Sequence, residues 1–197
     1  MTGISQNTAL WFASRATGVV SLALLTLVVI LGILVSRQGR LPGLPGFAVT
    51  GLHRNISLLS VAFVAVHVVT AIADPYVTIR LVSAVIPFTS GYQPFWLGLG
   101  AISADLIAAL IVTSLIRARL SRRTWRGVHW LAYAAWPVAF AHSLGAGPDL
   151  PGGGLREVAI GCALGAGAAL LWRVTHALRA APRSKRAAVI LSKGGPR

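Results

Sequence analysis

The residues best placed to do chemistry are four of the chain's five histidines, His53, His67, His129 and His142, each set within or beside an apolar stretch. Ionisable groups in such surroundings are costly and usually face the interior of a helix bundle, which makes them functional candidates by default. They fall into two pairs, with spacings of 14 and 13 residues. At about 1.5 Å of rise per residue, each pair spans roughly 20 Å along a helix. Two histidines of one helix therefore cannot share a metal ion, but histidines of neighbouring helices can meet at matching depths. Such an arrangement gives two stacked sites of two imidazoles each.

Two imidazoles with no nearby Cys, Asp or Glu do not complete a zinc site, which takes four ligands. Haem brings four equatorial nitrogens of its own and needs only axial ligands. Its porphyrin also suits a setting of Leu, Val, Phe and Ala. A pair of axial histidines leaves no open iron position, which favours electron transfer over oxygen binding or peroxidase chemistry. Two haem b groups, one above the other, would form an electron wire across a membrane.

The elements that must hold these residues follow from composition. The 197 residues are 55% hydrophobic and 11% charged, against about 25% charged in soluble domains. Disorder is excluded by the same apolar content. The fold class is therefore an all-α integral membrane helical bundle with about five transmembrane helices. Its apolar segments run roughly from Ala9 to Val35, Ile56 to Ile72, Phe95 to Ile116, Val128 to Leu144 and Val158 to Leu178. The first is long, with no clear cleavage site after it, and reads as a retained anchor rather than a signal peptide.

The net charge of +14 invites a nucleic-acid reading, which the long uncharged stretches argue against. Fifteen of the 18 basic side chains fall in three places: Arg37, Arg40 and Arg54; Arg117 to Arg126; and Arg173 to Arg197. Alternate connections thus carry the positive charge, which places the N-terminus outside and the C-terminus in the cytoplasm of a multi-pass protein of the cytoplasmic membrane. The second and fourth segments then run parallel. His53 matches His129 near the cytoplasmic side, and His67 matches His142 near the outer side.

One strain accompanies this pairing. At about 100° per residue, 14 residues return His67 to within about 40° of His53, whereas 13 leave His142 about 140° from His129. The fourth helix is therefore expected to be distorted between its histidines, and Pro137 in that interval offers a kink.

Other residues carry weaker signals. Arg15, inside the first helix toward the outer face, suits a haem propionate as a bidentate partner, or snorkels to the interface. Asp105, midway along the third helix, suits structural hydrogen bonding better than a proton relay. Cys162 reads as a small packing residue, and Gly161 with Gly165 permits close helix approach. Trp96, Trp130, Tyr133 and Trp136 could flank haem or serve as ordinary membrane aromatics, and His176 reads as interfacial. The stretch from Asp74 to Pro94 reads as an amphipathic segment folded over the outer face. The Arg117 to Arg126 run reads first as an orientation signal touching anionic lipid, and second as a docking site for an acidic donor.

The stretches LHRNISLLSVAFVAVHVVTAIAD, from Leu52 to Asp74, and TWRGVHWLAYAAWPVAFAHSLGAGPD, ending at Asp149, resemble the ferric reductase-like transmembrane family. That family includes the membrane domains of NADPH oxidases and ferric reductases and the haem subunit serving bacterial methionine sulfoxide reductase. The resemblance implies that His53, His67, His129 and His142 are axial ligands of two haems. It also implies one haem domain over residues 1–180, followed by a basic cytoplasmic tail over 181–197. Cytochrome b uses a similar pairing, but its Pro-Glu-Trp-Tyr motif is absent here.

Family members usually show six helices, and many carry a fused flavin and nicotinamide domain. This chain shows five segments, only 19 residues after Leu178, and no G-x-G-x-x-G after a strand. The expected role is the membrane haem subunit of an oxidoreductase. It would take electrons from a separate flavoprotein or quinol and pass them to an acceptor outside, with membrane lipid and no nucleic acid as surroundings. The alternative is a haem-free polytopic protein with a polar His, Asp and Arg pathway.

Overall fold

In the computed structural model, residues 3–36, 45–75, 77–146 and 154–193 are described, with side chains at 9–36, 45–75, 77–146 and 156–179. Arg37, Arg40, Asp149 and the last four residues, on which parts of the charge reading fall, lie outside this set. Among the described residues there is no strand. The helices are α1 (Gly3–Ser36), α2 (Gly46–Ala73), α3 (Leu81–Val85), α4 (Pro94–Leu115), α5 (Arg122–His129), α6 (Ala132–Ala146) and α7 (Gly154–Lys193). A single 3₁₀ turn, Arg117–Arg119, leads from α4 toward α5. α7 continues through most of the stretch read as a tail.

Four of these helices contain stretches long and apolar enough to cross a membrane: Ala9–Ser36, Gly46–Ala73, Pro94–Leu115 and Arg156–Arg179. The remaining apolar segment is divided between α5 and α6. α6 has 15 residues, which at about 1.5 Å each span roughly 22 Å, short of the roughly 30 Å of hydrocarbon. α2 begins ten residues before the expected Ile56, because Pro45 at its N-cap has extended backbone (φ −70°, ψ 152°) and nothing after it breaks the helix. His53 and Arg54 therefore lie well inside α2. α4 starts where Gln93 adopts a left-handed conformation (φ 41°) ahead of Pro94, a residue whose fixed φ suits a first helical turn. At α5 the Ser121 hydroxyl accepts from the Thr124 amide at 3.1 Å, capping the helix.

α1 is the hub and packs against α2, α6 and α7, while α4 packs against α6. The buried residues are small or branched: Leu22, Leu31, Ile33, Val49, Ala101, Ala135, Ala159, Cys162 and Ala166. Gly165 faces α1, where an added Cβ would lie 3.6 Å from Ile30, whereas Gly161 has open space around it. Buried hydroxyls are paired, as such surroundings require. Thr26 Oγ1 donates to the Leu22 carbonyl at 2.8 Å and accepts from Trp136 Nε1 at 2.8 Å. The Ser103 hydroxyl donates to the Ala135 carbonyl at 3.2 Å, joining α4 to α6. Leu58, Val69, Leu115, Leu164 and Leu171 are exposed, an apolar exterior that hydrocarbon covers and water would not.

The distortion between His129 and His142 lies at Trp130 and Leu131, not at Pro137, which sits inside a continuous α6. Around the turn, backbone bonds shorten to three-residue steps: Trp130 to Gly127 at 3.2 Å, Leu131 to Val128 at 2.9 Å, Tyr133 to Trp130 at 3.0 Å and Ala134 to Leu131 at 3.0 Å. Such 3₁₀ geometry advances about 120° per residue rather than about 100°. Each residue in that geometry adds about 20°, which turns His142 back toward the side of His129. Both then face the histidines of α2.

Between α2 and α4, the segment around α3 lies over one end of the bundle with Leu81, Val85 and Phe88 exposed and Ser83 buried. Phe88 has a positive φ of 64°. Its ring lies against Gly98 so closely that any Cβ there would collide with it.

Candidate functional site

α2 carries His53 and His67, the end of α5 carries His129 and α6 carries His142, and together they bring the four histidines to two levels. The His67 and His142 rings have centroids 6.3 Å apart and planes at 70°. Those of His53 and His129 are 6.5 Å apart at 75°. Two imidazoles that share one metal ion from opposite sides, with bonds of about 2.0 Å and each nitrogen about 1.1 Å from its ring centre, have centroids about 6.2 Å apart. Both pairs have this separation. Among the described residues no group of three or more His, Cys, Asp or Glu could hold a metal ion. Each level therefore offers two nitrogen donors, which fits a group that carries its own equatorial ligands.

The backbone orients the rings. His67 Nδ1 lies 2.8 Å from the Ser14 carbonyl, and His142 Nδ1 lies 2.8 Å from the Trp96 carbonyl. A carbonyl only accepts, so each Nδ1 carries the proton and each Nε2 keeps its lone pair, the tautomer a metal-binding histidine adopts. His53 Nδ1 and His129 Nδ1 are buried without a hydrogen-bond partner.

A glycine one turn after each of these carbonyls makes the approach possible. Added Cβ atoms would lie 2.9 Å from His67 at Gly18, 2.8 Å from His142 at Gly100 and 3.4 Å from His53 at Gly32. Ser14 with Gly18 and Trp96 with Gly100 thus form the same unit twice, a missing side chain opening the preceding turn's carbonyl to an imidazole. Gly32 gives His53 the same close approach to α1 without that bond. Sequence reasoning missed these glycines, although Gly18 and Gly32 stand 14 residues apart, matching the spacing of His67 and His53 on the antiparallel α2.

A cavity of about 480 Å³ opens beside the His67 and His142 level, within the roughly 300–1,000 Å³ of cofactor pockets. Ser14, Arg15, Gly18, Asp74 and Gly100 line it with the two histidines, amid Val64, Val68, Ile72 and Leu97. Arg15 is therefore a wall of this cavity, its guanidinium 5.0 Å from the centre of the Trp11 ring. A cation at one edge of an apolar pocket provides a partner for an anionic substituent.

At the other level, Trp125 stacks on His129 at 4.7 Å and 21°, with the Arg117 guanidinium 4.6 Å from the centre of the Trp125 ring. Trp136 and Phe140 stack at 5.3 Å. Trp96 contributes its carbonyl, while Trp130 and Tyr133 pack against Arg173. Asp105 is exposed on α4 and is not among the cavity's lining residues, and His176 lies beside Trp172.

Comparison with curated proteins and with solved structures finds no match. Residues 17–140 match the family described as ferric reductase like transmembrane component. That span contains His53, His67 and His129 and, of the residues that face the rings, Gly18, Gly32, Trp96 and Gly100; Ser14 lies three residues before it and His142 two residues beyond its end. With more than half of its length matched, this multi-pass membrane chain belongs to the ferric reductase like transmembrane family.

Proposed function

We propose that the chain is a dihaem b-type electron-transfer protein, carrying electrons from a cytoplasmic-side flavoprotein or quinol to an acceptor outside. The observation that carries this reading is the occurrence of two imidazole pairs at nearly the same ring separation, 6.3 and 6.5 Å, one between α2 and α6 and one between α2 and the end of α5. Haem, when bound, supplies a reversible one-electron couple.

The chain's own residues do the rest. His67 and His142 would hold the outer haem, and His53 and His129 the inner one. The Ser14 and Trp96 carbonyls hold protons on the outer Nδ1 atoms and keep those imidazoles aimed with little reorganisation. Gly18, Gly32 and Gly100 let the Nδ1 and Cε1 edges of the rings come close to α1 and α4. Arg15 is placed to hold a propionate at the cavity edge, while the apolar lining excludes water. Family membership fits work with a separate redox partner, and the orientation follows from the basic connections.

The test is a visible absorption spectrum of protein purified from membranes after haem is supplied during expression. The expected result is a Soret band and, on reduction, the sharp bands of six-coordinate b-type haem. Protein that accumulates in the membrane without a Soret band contradicts the proposal.

A further inference from the structure

His129 and His142 reach the same side of their helices only because the turn at Trp130 and Leu131 is tightened, and one side chain from α7 sits on that turn. Arg173 donates to Tyr133 Oη at 2.6 Å and to Ser36 Oγ at 3.0 Å. Its guanidinium also lies 4.8 Å from the centre of the Trp130 ring and 5.0 Å from that of Tyr133. A planar guanidinium combines directional hydrogen bonds with stacking on aromatic faces in a way that an ammonium does not. These contacts join the end of α1, the turn and the start of α6. Arg173 lies beyond the family match, which ends at residue 140, so α7 adds this contact from outside the matched region.

We propose that Arg173 is a positioning residue for the His53 and His129 pair: it latches the α5 to α6 turn to the end of α1 and thereby holds His129 facing His53. The inference rests on the dihaem reading above. The two levels differ in what else restrains them. His142 is anchored by its own bond to the Trp96 carbonyl, whereas His129 Nδ1 has no hydrogen bond to hold its ring. If the turn relaxes toward ordinary α-helical geometry, the lost rotation of about 20° per residue falls on His129, whose ring is held by stacking on Trp125 and by no hydrogen bond at Nδ1. A role confined to membrane orientation would not distinguish the two levels.

The experiment uses the full-length holoprotein in detergent or nanodiscs, with electron paramagnetic resonance of the ferric haems and redox titration of each. His67→Ala and His53→Ala identify which signal belongs to which level. Arg173→Gln is expected to lower inner-site occupancy about tenfold, in line with the loss of a group that orients a metal ligand, or to shift that signal and its potential, with the outer signal unchanged. Arg173→Lys is expected to restore part of the inner signal. Tyr133→Phe, which removes a single hydroxyl, is expected to move the inner signal in the same direction by less.

An inner signal unchanged in both Arg173→Gln and Tyr133→Phe overturns the inference, as does equal loss of both signals in well-folded Arg173→Gln protein. If Arg173→Gln does not accumulate, an unmoved inner signal in Tyr133→Phe overturns it alone. Wild-type protein without two haem signals overturns the dihaem reading itself and the inference with it. Two wild-type signals that survive unaltered in both Arg173→Gln and Tyr133→Phe overturn only the inference.

Discussion

His67→Ala is expected to remove one of two haem signals and leave the other spectroscopically intact, with His142→Ala giving the same result and His53→Ala or His129→Ala the opposite one. The expectation rests on separation: the two levels are roughly 20 Å apart along α2, and their rings meet different groups, the Ser14 and Trp96 carbonyls with Gly18 and Gly100 at one and Gly32 with Trp125 at the other. Losing a group that only orients a metal ligand costs about 10–100-fold in affinity, so losing the ligand exceeds that range. Haem content and reduced-minus-oxidised spectra check it. If His67→Ala and His53→Ala deplete the same signal, the two-level pairing is wrong.

The second large effect comes from adding one methyl group. In Gly100→Ala the new Cβ would stand 2.8 Å from both Cε1 and Nδ1 of His142, and in Gly18→Ala 2.9 Å and 3.0 Å from the same atoms of His67. Neither ring can retreat without giving up its bond to the Trp96 or Ser14 carbonyl. Overpacking of this kind costs about 1–3 kcal/mol, and here it acts on a metal ligand. Both variants are expected to lose or distort the outer haem signal while the inner one remains. Gly32→Ala, with a 3.4 Å approach to His53, is expected to be mild, and Gly161→Ala, with open space around it, to have no spectral effect. Haem content across the four variants checks the ranking; equal loss in Gly100→Ala and Gly161→Ala would contradict it.

Much of this was legible in the sequence because hydropathy and histidine spacing act over long distances along the chain. The apolar segments marked where helices cross, and spacings of 14 and 13 marked two levels. Helix ends were less legible. Hydropathy reports burial in lipid, whereas α2 starts where Pro45 permits it, so His53 lies deeper in its helix than the apolar run suggests. Pro137 drew attention as the point of distortion, yet a proline removes only one backbone donor and α6 runs through it. The turn at Trp130 and Leu131 carries no local signal, since the contacts on it come from Arg173, some 40 residues away. The Ser14 and Trp96 carbonyls left no trace at all, because every residue has one. The glycines that expose them were visible only once their spacing could be set beside that of the histidines.

The most direct measurement is the ratio of non-covalently bound b-type haem to protein in the purified, haem-replete chain. The account predicts two haems per chain, falling to one in His67→Ala and in His53→Ala. A wild-type ratio of zero or one, with no second haem on saturation, would contradict it.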